Sequence, residues 1–283
     1  MKSSHPVLLL ATATLLWMSV GAADPLPILH DGEAPQVGHA RIYGQSGIPV
    51  YRYEIQQTYS HDTADYTEAL FVHNGFLYEG TGKYGRSRLK KWDLATGEVK
   101  SVRELEARYF GEGAVALKDR LYQLTYISNT GFVYRPHDLS PIERFHYPRQ
   151  GWGMTTDGEH LIVSDGSAGV EFLDPETFEA ERRIVVRDGY GEVGFLNELE
   201  YIDGDIVANV WQTDYLVRFS AETGAVNGWV DLSGLNPNPT RLVYPHVLNG
   251  VAYTGEPGTL LVTGKNWPSL WHIKLVEASR TPD

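Results

Sequence analysis

Five times along this 283-residue chain a short apolar strand opens beside Gly, Glu, Asn or Trp and then reverses at a tight polar turn. The openings are Thr67-Glu68-Ala69-Leu70, Gly111-Glu112-Gly113-Ala114, Trp152-Gly153-Met154-Thr155, Asn197-Glu198-Leu199-Glu200 and Asn249-Gly250-Val251-Ala252. From Glu68 through Glu112, Gly153, Glu198 and Gly250, the separations are 44, 41, 45 and 52 residues. A unit of that length holds four short strands with their turns, the size of one β-propeller blade. The repeat therefore predicts an all-β, five-bladed β-propeller.

Each unit repeats the same internal order. A first turn comes at His73-Asn74-Gly75, Lys118-Asp119, Asp157-Gly158, Asp203-Gly204 and the stretch 254–258, where Asn-Gly and Asp-Gly supply the positive φ of a tight hairpin. Second strands follow at 76–78, 121–124, 161–163, 206–210 and 260–262, and third strands at 89–92, 132–134, 170–173, 216–219 and 271–273. The last unit runs out of chain after its third strand. Residues 50–58 are the candidate for its missing outer strand, so that a strand from the N-terminus closes the ring. The composition agrees: 29 Gly, 15 Pro and 12% aromatics, without a long 3.6-period apolar stripe in residues 24–283, describe a turn-rich sheet protein.

The N-terminal residues read as an export sequence. Lys2 precedes an apolar run from Val7 to Val20, and Val20-Gly21-Ala22 places small residues at a cleavage position. The run is short for a span of about 20 residues, which argues against a retained anchor. The expected organisation is a signal peptide over 1–23, a leader over 24–48, a catalytic propeller over 49–277 and a tail over 278–283. The expected location is periplasmic or secreted, with no membrane association after cleavage. Zero cysteines exclude both a lipid thioether and a disulfide framework. A net charge of −12 leaves little to neutralise phosphates, so nucleic acid is an unfavourable partner. Lys90-Lys91 and Arg182-Arg183 are read as solvated strand or turn charges.

In a propeller the starts of first strands and the ends of second strands converge around one mouth of the axial channel. The first-strand starts bring Tyr66, Glu68, Phe110, Glu112, Trp152, Asn197, Glu198 and Asn249 there; the second-strand ends add Tyr126, Trp211 and Lys265. Carboxylates, a lysine, amides and aromatics in one concavity are the usual make-up of a small-ligand pocket. Other motifs fail. Gly80-Thr81-Gly82-Lys83-Tyr84-Gly85 fits G-x-G-x-x-G, but a strand follows it, so no helix N-terminus is available for a pyrophosphate. The ten histidines lack zinc spacing, and no serine sits in a nucleophile elbow. Taken alone, Glu112 is as open to a supporting role as to a catalytic one, and Trp152 and Trp211 are as open to packing as to binding. Trp92, Trp229 and Trp271 lie away from the mouth and are read as packing.

Six strings, Leu77 to Gly85, Tyr109-Phe110-Gly111-Glu112-Gly113, Gly151 to Gly158, Leu196 to Tyr201, Asn209 to Asp214 and Thr263 to Pro268, occur in the order found in the plant-type glutaminyl cyclases. The chain resembles that family over roughly residues 50–275, and members convert an N-terminal glutamine of a peptide into pyroglutamate with release of ammonia. The resemblance implies Glu112 as general acid and base, and Asn197 with Lys265 as donors to the oxyanion. It implies Tyr66, Glu68, Phe110, Tyr126, Trp152 and Trp211 as the substrate pocket. It implies peptide or protein substrates that begin with glutamine, a monomer, and catalysis that requires no cofactor or metal.

Two positions depart from the family pattern. Tyr66-Thr67-Glu68 stands where Phe-Thr-Gln is expected, and Leu124-Thr125-Tyr126 where Leu-Thr-Trp is expected. A second carboxylate beside Glu112 would raise its pKa or bind the substrate ammonium, which implies a tuned activity. Two further readings use the same residues. Glu68, Glu112, Glu198, Asn197 and Asn249 around one axis offer the oxygen ligands calcium prefers, as in a calcium-dependent propeller hydrolase. A non-catalytic propeller would use the aromatic mouth to capture peptide or sugar ends. A structural calcium in the channel is compatible with all three readings.

Overall fold

The computed structural model describes residues 37–237 and 246–278. The expected signal peptide and most of the leader lie outside these residues, as does most of the tail. The described chain opens with a short helix, α1 (His39–Tyr43), and a long strand, β1 (Val50–Ser60). Four-stranded antiparallel sheets follow in chain order: β2 (Thr67–His73), β3 (Phe76–Thr81), β4 (Arg88–Asp93) and β5 (Glu98–Glu104); then β6 (Gly111–Leu117), β7 (Arg120–Thr125), β8 (Thr130–Tyr134) and β9 (Pro141–His146); then β10 (Met154–Thr156), β11 (Leu161–Ser164), β12 (Gly169–Leu173) and β13 (Ala180–Val185). A small hairpin, β14 (Arg187–Asp188) and β15 (Gly191–Glu192), precedes β16 (Leu196–Ile202), β17 (Asp205–Val210), β18 (Tyr215–Ser220) and β19 (Val226–Asp231). The last three strands are β20 (Leu248–Tyr253), β21 (Thr259–Gly264) and β22 (Ser269–Glu277).

β1 completes the last unit. It pairs antiparallel with β22 from Tyr51↔Glu277 to Ser60↔Ser269, and its first residues pair parallel with β19 at Val50↔Trp229 and Tyr51↔Val230. The two flanking units thereby become one eight-stranded sheet. The fold is all-β, and α1 is its one named helix among the described residues. None of the described helices is long and apolar enough to cross a membrane.

Burial falls from the inner to the outer strand in the first three units: every residue of β6 is buried, whereas β5, β9 and β13 are mostly exposed and carry charge. The fourth unit differs, because β19 is covered between β18 and β1 and stays buried. Lys90 and Lys91 lie on the third strand β4 rather than on an outer strand, and both are buried. That corrects the solvated reading: Lys90 is consumed by an internal ion network, and Lys91 Nζ donates to His137 O at 3.1 Å while lying 4.2 Å from the Phe76 ring centroid.

The innermost strands touch in sequence order, β2 with β6, β6 with β10, β10 with β16, β16 with β20, and β20 again with β2. Two glycines permit this crowding. A Cβ on Gly153 would lie 2.0 Å from Asn197 O, and one on Gly113 would lie 2.5 Å from Met154 N. The Gly113 N–H instead donates to Trp152 O at 2.7 Å. Glu198 ties three inner strands together by accepting the Leu70 N–H at 3.2 Å and the Val251 N–H at 2.8 Å. Glu200 accepts the Tyr253 N–H at 2.7 Å, so both glutamates brace β20.

Residues 37–48, assigned to the leader by sequence, pack onto this sheet system. Ile42 is fully buried in the largest apolar cluster, Arg41 forms a two-pronged ion pair with Asp188 at 2.8 Å for each contact, and Tyr43 Oη donates to Asp231 at 2.7 Å.

Two glycine variants separate crowding from backbone strain. Gly153→Ala is expected to lower stability by about 2–3 kcal/mol, because its methyl meets the backbone of β16 at Asn197 and Glu198. Gly158→Ala has open space but a φ of +93°, and is expected to cost about 1 kcal/mol. Urea unfolding curves of the two variants check the difference.

Candidate active site

Four of the five inner strands contain an irregularity at their start, and the site residues sit in it. The pairing register slips between Thr67 and Ala69, Gly111 and Ala114, Leu196 and Leu199, and Leu248 and Val251. The residues inside these slips are Glu68, Glu112 with Gly113, Asn197 with Glu198, and Asn249 with Gly250. A bulge frees a side chain from the in-out alternation and re-aims it. Here it gathers polar side chains among strands whose alternate positions are otherwise apolar.

The centre of the cluster is a buried group of two carboxyls and one ammonium. Lys265, from the turn after β21, places Nζ 2.7 Å from both carboxylate oxygens of Glu68. Asn249 Nδ2 donates to Glu68 Oε2 at 3.1 Å and to Thr67 O at 2.9 Å. The Glu68 and Glu112 carboxyls are hydrogen-bonded to each other. Burial raises the Glu112 pKa well above the carboxylate range, and the Glu68 charge raises it further, against a smaller opposing pull from Lys265. Burial also raises Glu68, which Lys265 partly offsets. The two carboxyls therefore titrate as a coupled pair, and Glu112 keeps its proton to higher pH than an ordinary glutamate.

One apolar cluster surrounds this group. It contains Tyr66, Phe110, Tyr126, Trp152, Trp211 and Val247, with Tyr84 and Phe195 packed against it. Phe110 stands edge-on to Tyr66, with ring centroids 6.1 Å apart at 89°, and lies 5.9 Å from Tyr126. Trp152 and Trp211 meet at 5.6 Å and 81°. Lys265 Nζ lies 4.7 Å from the Tyr66 ring centroid, which joins the polar centre to the wall. The five aromatics singled out from sequence thus share one cluster, while Trp92, Trp229 and Trp271 belong to others.

Asn197 is held beside β11 by its backbone. Its carbonyl accepts from Ser164 Oγ at 2.7 Å, Ser164 Oγ accepts the Gly153 N–H at 2.8 Å, and its buried Oδ1 has no hydrogen-bond partner. Sequence reasoning passed over Tyr84, Phe195 and Val247, which carry no charge to draw attention. It also passed over a second layer of charge beneath Tyr66 and Glu68. His61 Nε2 lies 2.8 Å from Glu79 Oε1, which also accepts from Thr67 Oγ1 at 2.8 Å, and His61 Nδ1 lies 2.7 Å from Trp267 O. His61, Asp65 and Glu79 present ligand atoms within 4.8 Å of one another. Lys90 already binds both carboxylates and Arg88 binds Asp65, so this trio is an ion-pair network that holds the Glu68 and Lys265 segments together.

A sequence profile described as glutamine cyclotransferase matches residues 32–275. The chain belongs to the glutamine cyclotransferase family. It is 40% identical over 230 residues to the glutaminyl-peptide cyclotransferase of Arabidopsis thaliana, which spans 80% of this chain and 72% of that protein. The crystal structure of Myxococcus xanthus glutaminyl cyclase superposes with a TM-score of 0.75 at 28% identity, covering 82% of this chain and all of that one.

The geometry makes a pH prediction. Glu68→Gln removes a negative charge hydrogen-bonded to Glu112 and frees Lys265 to pair with Glu112; both effects stabilise the Glu112 carboxylate. The acidic limb of the kcat/KM profile is expected to move to lower pH by about one unit. A limb that stays in place or moves upward would contradict the coupling.

Proposed function

We propose that this chain converts the N-terminal glutamine of peptides into pyroglutamate with release of ammonia, with Glu112 handling the proton. The observation that carries the assignment is the buried Glu68–Glu112–Lys265 group inside an aromatic wall, in a chain of the glutamine cyclotransferase family.

The reaction requires three things of the site. The substrate's α-amine nitrogen bonds to its own side-chain amide carbon, so the amine must lose a proton; ionised Glu112 accepts it. The carbonyl oxygen becomes an oxyanion, to which the Lys265 ammonium and the Asn197 amide donate. As the carbon–nitrogen bond to the amide nitrogen breaks, Glu112 returns the proton and ammonia leaves. A carboxyl whose pKa is raised toward neutrality suits both transfers better than an ordinary glutamate. Tyr66, Phe110, Tyr126, Trp152 and Trp211 hold the glutamine side chain folded back on its own amine, which replaces a search over rotamers by proximity. Glu68 sets the proton affinity of Glu112 and offers a charge to the substrate ammonium.

The architecture we infer is a five-bladed propeller closed by β1, supported by the cyclic order of inner-strand contacts and the completion of the last unit by the N-terminal strand. Glu68 and Lys265 then come from opposite sides of the closure, so the site is complete only when the ring is shut. We further read the chain as exported, from the apolar run after Lys2, and as a monomer, because a closed ring needs no partner.

This chemistry exchanges one carbon–nitrogen bond for another with proton transfers and no change of oxidation state, and so calls for no cofactor. Calcium at the axial carboxylates would compete with an existing cation, because Lys265 already sits on Glu68, while both oxygens of Glu198 accept backbone N–H groups. That argues against the calcium-hydrolase reading and a calcium in this cluster.

Ammonia release from glutamine-starting peptides is expected to survive EDTA and to fall at least about a hundredfold in Glu112→Gln. Loss of activity in EDTA would favour the metal-dependent reading. Binding of these peptides without turnover by the unsubstituted enzyme would favour the capture reading.

A further inference from the structure

We infer that His61 is a positioning residue for the reaction: its doubly protonated ring fixes the turn that carries Lys265 against the strand that carries Glu68, and loss of one ring proton releases that turn. This rests on the cyclotransferase reading and extends it to a group beneath the aromatic cluster.

His61 directly follows β1, and its side chain is buried. Each ring nitrogen faces an acceptor. Nδ1 lies 2.7 Å from Trp267 O, a carbonyl with no proton to give, and Nε2 lies 2.8 Å from Glu79 Oε1. That oxygen also accepts from Thr67 Oγ1 at 2.8 Å, and Lys90 Nζ lies 2.8 Å from Glu79 Oε2, so Glu79 acts as an ionised acceptor. A neutral imidazole has one N–H and serves one such partner; the two contacts together require the imidazolium.

The charges around the ring agree with that count. Burial by itself would lower the His61 pKa, but the Glu79 charge and hydrogen bond, the Trp267 carbonyl and the Asp65 charge together raise it above the ordinary imidazole value. Burial would likewise raise Glu79, yet His61 and Lys90 hold it below the usual carboxylate range. The other cations nearby are already paired: Lys90 binds Asp65 as well as Glu79, and Arg88 binds Asp65 at 2.6 Å and Asp62 at 3.3 Å.

The turn held by this ring is the one that delivers Lys265. Around it the His61 N–H donates to Pro268 O at 3.0 Å, the Asn266 N–H to Asp65 O at 2.7 Å, and Asn266 Nδ2 to Thr63 O at 2.8 Å. Of these contacts between residues 61–65 and 266–268, the one from Nδ1 to Trp267 O depends on a titratable proton. On its other side the ring reaches Glu79 and, through it, Thr67, the neighbour of Glu68. The chain of contacts from Thr67 through Glu79 and His61 to Trp267 thus sets the spacing across which Lys265 Nζ meets Glu68 at 2.7 Å. A buried ion pair is seldom more stabilising than apolar packing of the same volume; what this one supplies is a fixed register. When the ring loses either proton, a nitrogen lone pair faces Trp267 O or Glu79 Oε1 and one contact breaks. The Lys265 ammonium then loses its place as a donor to the oxyanion, where a displacement of about 1 Å costs on the order of a hundredfold in rate.

The experiment pairs nitrogen-15 NMR of the imidazole nitrogens, assigned by comparison with His61→Gln, with kcat at saturating Gln-Ala-Ala amide from neutral to alkaline pH. Both His61 nitrogens are expected to be protonated at neutral pH and to titrate above the value of a free imidazole. Wild-type kcat should fall in step with that titration toward the level of His61→Gln. The variant should show kcat lowered by about ten- to a hundredfold, KM little changed and no limb over the same range. Added to Lys265→Gln, the His61→Gln change should cost little more, because it acts through Lys265. A singly protonated ring at neutral pH, or a wild-type kcat indifferent to the titration of the ring, would overturn the inference and leave the cyclase reading intact; both are read in the unsubstituted enzyme. Full additivity with Lys265→Gln would overturn it as well. Failure of wild type to release ammonia would overturn the cyclase reading and this inference with it.

Discussion

Two carboxyl groups and one ammonium, closed off from water, carry their charges together only at a cost. With Lys265 at 2.7 Å from Glu68, and Glu68 coupled to Glu112, one positive charge balances one negative charge, and the second carboxyl holds its proton more tightly than an ordinary glutamate. The raised proton affinity of Glu112 therefore follows from burial and stoichiometry more than from any single contact. A substrate ammonium placed beside such a site lowers that affinity again and favours the ionised carboxylate. Glu68 puts the second carboxyl in place, and with it the coupling that a neutral side chain at this position would not supply.

The fold supplies that site by departing from its own regularity. Ordinary strands alternate their side chains, which would send every second residue of an inner strand into a neighbouring sheet. Bulges at the starts of β2, β6, β16 and β20 free Glu68, Glu112, Asn197 and Asn249 from that rule, and glycines at 113 and 153 let the strands approach closely enough for those residues to share one space. Left-handed backbone at Phe195, Gln212 and Asn266 completes the turns beside Leu196, Trp211 and Lys265. The outer pairs β4–β5, β8–β9, β12–β13 and β18–β19 carry register shifts of their own, but those lie away from the site residues.

Much of this is legible in the sequence because repetition amplifies weak signals. One Asn-Gly turn between apolar runs says little, but the same order repeated at 41 to 52 residues locates the sheet units and the end of the chain at which residues should converge. The grouping of Tyr66, Phe110, Tyr126, Trp152 and Trp211 follows from that alignment. What could not be read are features that depend on a break in periodicity. The slips at Glu68 and Glu112 are invisible to a period-2 pattern, and so is the inward role of Lys90, which looks like any surface lysine until its third strand is known to be buried. The packing of Ile42 and Arg41 is hidden for another reason: a segment with prolines and glycines before it reads as a linker, although its partners, Asp188 among them, lie nearly 150 residues away.

The central claim is that burial and the Glu68 charge raise the proton affinity of Glu112 above that of an ordinary glutamate. Carbon-13 NMR of the protein labelled at glutamate carboxyls, titrated in wild type and compared with Glu112→Gln to assign the resonance, tests this directly. The account predicts a Glu112 signal that titrates well above the usual carboxylate pKa and moves down in Glu68→Gln. A Glu112 carboxyl already ionised in the ordinary acidic range, and indifferent to Glu68, would contradict it.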